Sequence, residues 1–252
     1  MRGFLKLAWT ELKLFLRDPF ATVFALGLPL IMLMLLAAVF GDTPETDMMN
    51  GQPVFRGVPG DDYYVPASVA VVVAAIGLLI LPTHLAGYRE HGVLRRFRAS
   101  SVPTWALLAS QFMVALLITF AGSLIMVAIA TPIYDTMLPE DWLGVIVAML
   151  ISILAFAAIG FALAAFFPSS RAAQGIGLIL FFVVWLISGA APPRAVLPET
   201  VRDAGELNPL THVVIAIQDP WFGYGWNGEK LLILAGVALV ASAIGVWRFA
   251  WD

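Results

Sequence analysis

The sequence predicts an all-α integral membrane protein with six transmembrane helices, and composition and hydropathy lead to that fold class. The 252 residues are 61% hydrophobic and 12% charged, whereas soluble globular domains are about 25% charged. Six apolar segments have roughly the 20 residues that a helix needs to cross a bilayer. They contain no Asp, Glu, Lys or Arg except Arg248, and they cover residues 20–40, 65–87, 102–130, 142–167, 174–191 and 231–250. We expect the whole chain to form one transmembrane domain.

Residues 1–18 precede the first span and predict an amphipathic helix lying in the membrane interface. Four cations, Arg2, Lys6, Lys13 and Arg17, fall in one sector of a helical wheel beside an apolar sector. Such a helix places its cations towards lipid headgroups, although packing on a soluble partner is an alternative. Asp18-Pro19 then begins the first span, because proline is tolerated in a first helical turn. The following apolar run is too long for a cleaved signal peptide.

The distribution of charge predicts that both termini are cytoplasmic. With the N-terminus inside, the inner segments hold ten of the 14 Lys and Arg residues and only four of the 17 acids. An excess of cations in short loops marks the cytoplasmic side. The ten cations are Arg2, Lys6, Lys13, Arg17, Arg89, Arg95, Arg96, Arg98, Arg171 and Arg248.

The connections between spans differ in length and character. The outer loop 41–64 is acidic and rich in Gly and Pro, which predicts irregular structure. The inner turn FPSSRAAQG offers Ser169 or Ser170 as a cap for the fifth helix. In the long outer segment 192–229, the apolar run 210–217 is too short to cross the membrane. We expect it to form a re-entrant or interfacial segment before the last span.

The inner connection GYREHGVLRRFRASSVP, residues 87–103, concentrates four arginines between the second and third spans. Its cytoplasmic location explains the sign of the charge without any further role. It does not explain the apolar side chains of Val93, Leu94 and Phe97, which alternate with cations. This pattern favours a short helix that docks in the groove of a partner protein over a purely solvated patch.

Three stretches together resemble the ABC-2 type permeases, the membrane subunits of ATP-driven exporters that include bacterial drug-efflux and polysaccharide-export systems. YREHGVLRRFRASSVP matches the family's arginine–glutamate pair, glycine and apolar-basic helix before proline. ISGAAPPRAVLPETVRDAGELNPLTHVVIAI matches its second signature, and ELKLFLRDP is a weaker third match. Two departures fall in the outer segment: His212 stands where an aromatic is usual, and Gln218 where an arginine is common.

The resemblance implies that residues 88–101 form a cytoplasmic coupling helix seated in a groove of a separate ATP-binding subunit. ATP and Mg²⁺ would bind that partner, because this chain has no G-x-x-x-x-G-K-[ST] loop, and no cofactor is expected here. It also implies a second permease, either another copy or a related chain, in a bacterial inner membrane. The implied contact residues are Tyr88, Arg89, Glu90, His91, Gly92, Val93, Leu94, Arg95, Arg96 and Phe97, with an outer gate or re-entrant segment at Asn208, Pro209, Leu210 and His212.

Other kinds of site find little support in the sequence. The three histidines, His84, His91 and His212, do not pair on one helical face, so no metal site is predicted. The absence of cysteine excludes thiolate chemistry. Ser188-Gly189 lacks the surroundings of a nucleophile, and no catalytic residue and no nucleic-acid partner are expected. The polar groups of the fifth span, Gln174, Trp185 and Ser188, could face a substrate path or form helix–helix hydrogen bonds.

These features predict a permease that exports an amphipathic or hydrophobic small molecule, such as an antibiotic, using ATP hydrolysed by another chain. Export of a polysaccharide or lipid-linked glycan is the alternative within the family. A secondary transporter driven by an ion gradient is a further alternative, but such proteins place ionisable residues near the membrane midplane. The predicted spans here are almost free of them. A membrane-embedded enzyme would need an acid–base pair that is not visible.

Overall fold

The computed structural model describes residues 2–41, 46–94 and 104–248, and it confirms the all-α membrane fold class. Five helices in this part of the chain are long and apolar enough to span: Pro19–Phe40, Gly60–Glu90, Ala109–Tyr134, Trp142–Phe166 and Gly228–Arg248. The predicted fifth span is the 17-residue helix Ser170–Leu186. At 1.5 Å per residue it is about 26 Å long, close to the hydrocarbon thickness of about 30 Å. It begins and ends earlier than the predicted range 174–191.

The N-terminal helix α1 (Arg2–Arg17) packs along the third span. Its buried stripe consists of Ala8, Glu11 and Phe15, which recur at helical spacing, while Lys6 and Lys13 are exposed. The face that meets the protein therefore contains a carboxylate, which the amphipathic pattern did not indicate.

The first span is continuous but changes its helical form before a proline. It consists of α2 (Pro19–Thr22), a π-helical turn (Val23–Gly27) and α3 (Leu28–Phe40). The Leu28 amide donates to the Val23 carbonyl, five residues earlier. Because Pro29 has no N–H and its ring would clash with the carbonyl four residues before it, a wider turn accommodates it.

The second span repeats this arrangement over 31 residues. It consists of α4 (Gly60–Ala75), a π-helical turn (Ile76–Ile80) and α5 (Leu81–Glu90), with Pro82 just after the wide turn. The Leu81 amide donates to the Ile76 carbonyl. The helix begins at Gly60 rather than at the predicted residue 65, so its N-terminal turn lies in what was expected to be an irregular loop.

The described part of the outer loop before the second span also contains a small hairpin, contrary to the expectation of irregular structure. Its strands are β1 (Met48–Met49) and β2 (Gln52–Pro53), which pair antiparallel. Asn50 and Gly51 both have positive φ values, 52° and 73°. Asn-Gly with two positive φ values is the preferred sequence for a tight hairpin turn.

Three long helices follow: α6 (Thr104–Tyr134), α7 (Trp142–Phe166) and α8 (Ser170–Leu186). The Asp141 side chain accepts a hydrogen bond from the Gly144 amide at 3.0 Å and caps α7. The Ser169 hydroxyl accepts from the Ala172 amide at 3.3 Å and caps α8, as predicted for the inner turn. Both caps satisfy amides that have no partner within their helix.

The outer segment between the fifth and last spans is folded rather than extended. It contains a 3₁₀ turn (Arg194–Val196), α9 (Glu199–Gly205) and α10 (Pro209–Trp221), and α11 (Gly228–Arg248) then forms the last span. The predicted short segment 210–217 lies within α10. That helix packs against α4, α7 and α11, and nearly all of its residues are buried.

The second span lies at the centre of the bundle, and its most apolar stretch of 18 residues is completely buried. Neighbouring helices approach its backbone closely where they carry glycine. A Cβ added to Gly160 of α7 would lie 2.5 Å from the Gly77 carbonyl oxygen, and one added to Gly177 of α8 would lie 2.5 Å from that of Leu78. Small residues at helix contacts allow this approach in membranes. The second span is therefore positioned by α7 and α8 through backbone contacts.

Candidate coupling site

The C-terminal end of the second span, which is the inner end in the predicted orientation, is defined by a glycine. The His91 amide donates to the Gly87 carbonyl at 2.9 Å, and the Gly92 amide donates to the Arg89 carbonyl at 3.1 Å. Gly92 has a φ of 66°, a conformation that glycine adopts without the steric cost of a side chain and that commonly ends helices. The glycine of the resemblance motif therefore turns the chain out of α5.

Arg89 binds the C-terminal end of α7. Its guanidinium donates hydrogen bonds to the carbonyl oxygens of Phe167 and Ala165, the second at 3.5 Å. The last carbonyls of a helix lack internal donors and carry partial negative charge, so a cation there is stabilising.

Glu90, the next residue, binds the start of α8. Its carboxylate accepts hydrogen bonds from the backbone amide and the hydroxyl of Ser170, both at 3.0 Å. An anion suits the partial positive charge at a helix N-terminus. The arginine–glutamate pair thus contacts both ends of the inner turn between the fourth and fifth spans.

Leu94 differs from the expectation that it is presented to a partner. It is only 1% exposed and packs in a cluster inside this chain, made by Leu81, Leu85, Phe161 and Ala164. Val93 is half-buried and His91 is exposed. The expected contact residues Arg95, Arg96 and Phe97 lie outside the described residues, as does the rest of the predicted coupling helix.

Tyr88 joins α1 to the second span. Its hydroxyl donates to the Glu11 carboxylate at 2.5 Å, and the Gln111 side-chain amide donates to the same oxygen at 2.7 Å. Glu11 is 5% exposed, and a buried carboxylate needs such donors to offset its lost hydration. This cluster connects α1, α5 and α6. The sequence alone gave no signal for it.

A second link joins the start of the first span to the second span, one turn before Tyr88. The carboxylate of Asp18 lies 3.2 Å from the His84 ring and accepts hydrogen bonds from the Phe20 and Ala21 amides. The hydrogen bond with His84, aided by these amides, holds the pKa of Asp18 below its ordinary value. Asp18 therefore caps the first span and attaches it to the second.

The predicted outer residues form the start of α10. Asn208 caps the helix by accepting from the Leu210 amide at 3.0 Å, and its side-chain amide donates to the Val184 carbonyl of α8 at 2.8 Å. Pro209 occupies the first helical position, where its missing N–H has no consequence. Leu210 is fully buried. These residues fix α10 to the outer end of the fifth span.

His212 is buried one turn further along α10, 4% exposed. Its Nε2 lies 3.0 Å from the Glu206 carbonyl oxygen. Burial lowers the pKa of His212, and the nearby cations of Lys230 and Arg194 lower it further. The Glu206 carbonyl and carboxylate raise the pKa, but by less. The neutral form of the ring is therefore favoured in the folded protein.

Arg56, which the sequence analysis did not single out, connects the outer loop to α10. Its guanidinium donates to the Gln218 side-chain oxygen at 3.1 Å and forms an ion pair with Asp219. Gln218 also donates to the Tyr63 carbonyl at 3.3 Å, and the Tyr63 hydroxyl donates to the Gly189 carbonyl at 2.6 Å. The outer ends of the second span, the fifth span and α10 are thereby closed against one another.

The suggested path residues of the fifth span are not brought together. Gln174 and Trp185 are eleven positions apart, or about 16 Å along a helix. Trp185 is 8% exposed and stacks on Phe181 with ring centroids 6.3 Å apart. Ser188 is fully buried, donates to the Trp185 carbonyl at 2.7 Å and accepts from the Ala190 amide. Ser188 therefore forms the turn that ends α8.

Within the described residues, no group of three His, Cys, Asp or Glu side chains is placed to hold a metal ion. His84, His91 and His212 lie in three separate environments, bonded to Asp18, Gly87 and Glu206 respectively. The described polar residues named above at the inner and outer ends bind other parts of this chain.

The fold and these sites define a multi-pass membrane protein whose second span is bound at its inner end to the α7–α8 turn and whose outer segment is folded against the spans. Comparison with known protein families matches residues 2–222 to the ABC-2 type transporter family. The chain belongs to that family and is a membrane subunit of an ABC transporter, and membership of the family implies an ATP-binding partner subunit. Among curated proteins, none matches the chain.

Proposed function

We propose that this chain is the permease of an ATP-driven exporter that moves an amphipathic or hydrophobic small molecule out of a bacterial cell. Residues 88–101 receive the movement of the ATP-binding subunit, which holds ATP and Mg²⁺. The observation that carries this proposal is the continuous, buried second span, which runs from the closed outer segment to the inner coupling residues.

The two ends of that span are fixed to different elements. At the outer end, the Asp62 carboxylate accepts from the Met137 amide at 2.6 Å, and Tyr63 holds the end of the fifth span. At the inner end, Arg89 and Glu90 hold the α7–α8 turn. A displacement applied at residue 90 therefore has a mechanical connection to the outer closure, which supports coupling between ATP hydrolysis and opening.

We infer an apolar cargo from one open groove on the surface of the bundle. A groove of about 560 Å³ runs between α7 and α11. It is lined only by apolar residues, namely Ile159, Ala162, Leu163, Phe166, Gly236, Val237, Val240, Ala241 and Ile244. A glycan would need a polar lining with hydrogen-bonding groups. Export of a glycan is the alternative, and a transport assay distinguishes it from export of an apolar small molecule.

The distribution of ionisable groups supports an ATP-driven mechanism over an ion gradient. Between Tyr63 and Tyr88 the second span has no Asp, Glu, Lys or Arg. Proton-coupled and ion-coupled transporters place such residues near the midplane. In the described residues, the buried carboxylates of Glu11 and Asp219 lie in α1 and α10, outside the spans.

Reconstitution in vesicles tests the proposal. The chain is coexpressed with an ATP-binding subunit that copurifies with it, and the complex should move a fluorescent amphipathic dye only when ATP and Mg²⁺ are supplied. An ATP-binding subunit that cannot hydrolyse ATP is the control. Dye movement driven by an imposed proton gradient without ATP would contradict the proposal, and selective movement of a lipid-linked glycan would favour the alternative.

Orientation can be measured in the same protein, because the native chain contains no cysteine. We propose cytoplasmic termini, so a cysteine at the exposed position His91 should react with an impermeant thiol reagent only from inside. Leu207, which is 88% exposed in the outer segment, provides the matched control that reacts only from outside. Reversed labelling of the two variants would refute this orientation.

A further inference from the structure

We propose that Arg89 and Glu90 are positioning residues that clamp the coupling segment, residues 87–94 at the inner end of the second span, to the start of the fifth span. The coupling segment and the fifth span then move as one body. This inference rests on the proposed function and assigns the pair a role within this chain. The alternative is that their side chains engage the ATP-binding subunit, as the resemblance alone implied.

The chemistry of the two contacts supports a clamp. Two consecutive residues of opposite charge reach the two ends of one turn, each with the sign that suits its helix end. Arg89 meets the carbonyls that end α7, and Glu90 meets the amide and hydroxyl of Ser170 that begin α8. A pair that is engaged in these bonds has fewer free groups to offer a partner.

The clamp is not needed merely to cap α8. Ser169 already accepts from the Ala172 amide at 3.3 Å, from within the turn itself. Glu90 adds a cap from another helix, 80 residues earlier in the chain. Its distinct contribution is therefore a connection between α5 and α8.

The contact between these helices continues beyond the pair. Ala86 is buried together with Phe167 and Ala173, and a Cβ placed on Gly87 would lie 3.6 Å from the Ser170 Cβ. Closer to the membrane centre, the Leu78 carbonyl meets Gly177. The inner half of the second span and the first half of α8 thus form an antiparallel pair.

This pair connects the coupling segment to the outer closure through the fifth span. The far end of α8 is bound by Asn208, whose amide donates to the Val184 carbonyl at 2.8 Å. If the clamp holds during the cycle of ATP binding and hydrolysis, a push on the coupling segment displaces α8 and the start of α10 together. Physical continuity alone does not establish energetic coupling, so the test must measure it.

A disulfide can replace the clamp, because the chain has no native cysteine. The separation of 3.6 Å between the Cβ positions of residues 87 and 170 falls in the range that a disulfide accepts, about 3.5–4.5 Å. The test protein carries Gly87→Cys and Ser170→Cys and is assembled with the ATP-binding subunit in vesicles. Transport per ATP hydrolysed is compared between oxidised and reduced samples, with Gly87→Cys alone as the oxidation control.

With Glu90 intact, oxidation should leave transport per ATP unchanged, because the backbone amide of residue 170 still donates to Glu90 after the Ser170→Cys substitution and holds the two positions together. Adding Glu90→Ala should lower the reduced protein's transport per ATP about 5-fold or more, the low end of typical coupling free energies. Oxidation should then restore it. Glu90→Gln, which keeps one acceptor oxygen, should be impaired less, and it serves as the second variant if Glu90→Ala does not assemble.

Three results would overturn the inference. Oxidation that blocks transport with Glu90 intact would show that the segments must separate. A Glu90→Ala defect that oxidation leaves unchanged would assign Glu90 to the partner subunit, and a Glu90→Ala protein with normal transport per ATP would show that no clamp is needed. Failure of the proposed function is distinct, since the unsubstituted complex would then show no ATP-driven transport at all.

Discussion

Alanine at Gly177 should destabilise the bundle, whereas alanine at Gly175 in the same helix should not. Gly177 faces the second span, and an added Cβ would lie 2.5 Å from the Leu78 carbonyl oxygen and 3.5 Å from Leu79 Cδ2. Gly175 is exposed, with nothing within 4 Å of the corresponding position. The two glycines are therefore a matched pair that differs only in what the new methyl group meets.

The magnitude follows from two opposing effects. Alanine is favoured over glycine in a helix interior by about 1 kcal/mol, and both variants gain this. Carbon–oxygen contacts are normally about 3.3–3.6 Å, so at Gly177 the helices must separate by roughly 1 Å. Because the close atom is backbone and cannot rotate away, overpacking should cost about 1–3 kcal/mol. The Gly177→Ala protein should therefore be about 1–3 kcal/mol less stable than the Gly175→Ala protein.

The comparison uses equilibrium unfolding of the purified permease in mixed micelles, by titration with a denaturing detergent and far-UV circular dichroism. Gly236→Ala in α11, another glycine with open space around it, controls for helix propensity in a different span. Equal stability of the two α8 variants, or a more stable Gly177→Ala protein, would refute the view that a backbone contact positions the second span.

Three further predictions concern polar groups. Since burial lowers the pKa of His212, the folded state disfavours its protonation. Stability measured by thermal unfolding should therefore fall as the pH drops below 6.5, the ordinary pKa of histidine. The His212→Gln protein should lose this pH dependence. Asp18→Ala removes a cap and should cost about 0.5–2 kcal/mol in detergent unfolding, whereas Asp18→Asn, which keeps a capping oxygen, should cost less. Tyr88→Phe removes a donor to the buried Glu11 carboxylate and should cost about 1.5–3 kcal/mol, while Tyr224→Phe, at a tyrosine that is 52% exposed, should cost less in the same assay.

The membrane fold could be predicted because each span carries its own signal. Apolar length and the near absence of charge identify a spanning helix without reference to any other segment. The predicted fifth span began four residues too late because Ser170–Ala173 contains the charged Arg171, and it ended five residues too late. Ser169 was correctly identified as one of two possible caps. The wide turns before Pro29 and Pro82 were not predicted, since proline in an apolar run does not reveal how the helix accommodates it.

The candidate site was harder to predict because its bonds join distant parts of the chain. Gly92 could have been recognised as a helix end from its position after a polar turn. The partners of Arg89 and Glu90 could not, since they lie about 80 residues away in another connection. Leu94 was assigned to a partner surface because an apolar residue among arginines has the same pattern whether it faces another protein or its own core.

The role of Arg56 at the outer end could not be predicted from the sequence for the same reason. A single arginine in an acidic, glycine-rich loop carries no local indication of a role, and its partners Gln218 and Asp219 are more than 160 residues away. The sequence departure at Gln218 acquires a physical meaning only in the fold. There a neutral side chain accepts from Arg56 and donates to the Tyr63 carbonyl, which a second arginine at that position could not do, since its guanidinium only donates.

The wide turn in the second span explains why glycines of two other helices meet it there. Pro82 has no N–H to offer the carbonyl groups of Gly77 and Leu78, which precede it by five and four residues. These are the two oxygens that Gly160 and Gly177 approach most closely. An isolated helix would bend at such a point, but here α7 and α8 hold it from two sides. We therefore infer that α7 and α8 brace the second span at this point, and that the proposed movement of the span depends on both glycines lacking a side chain.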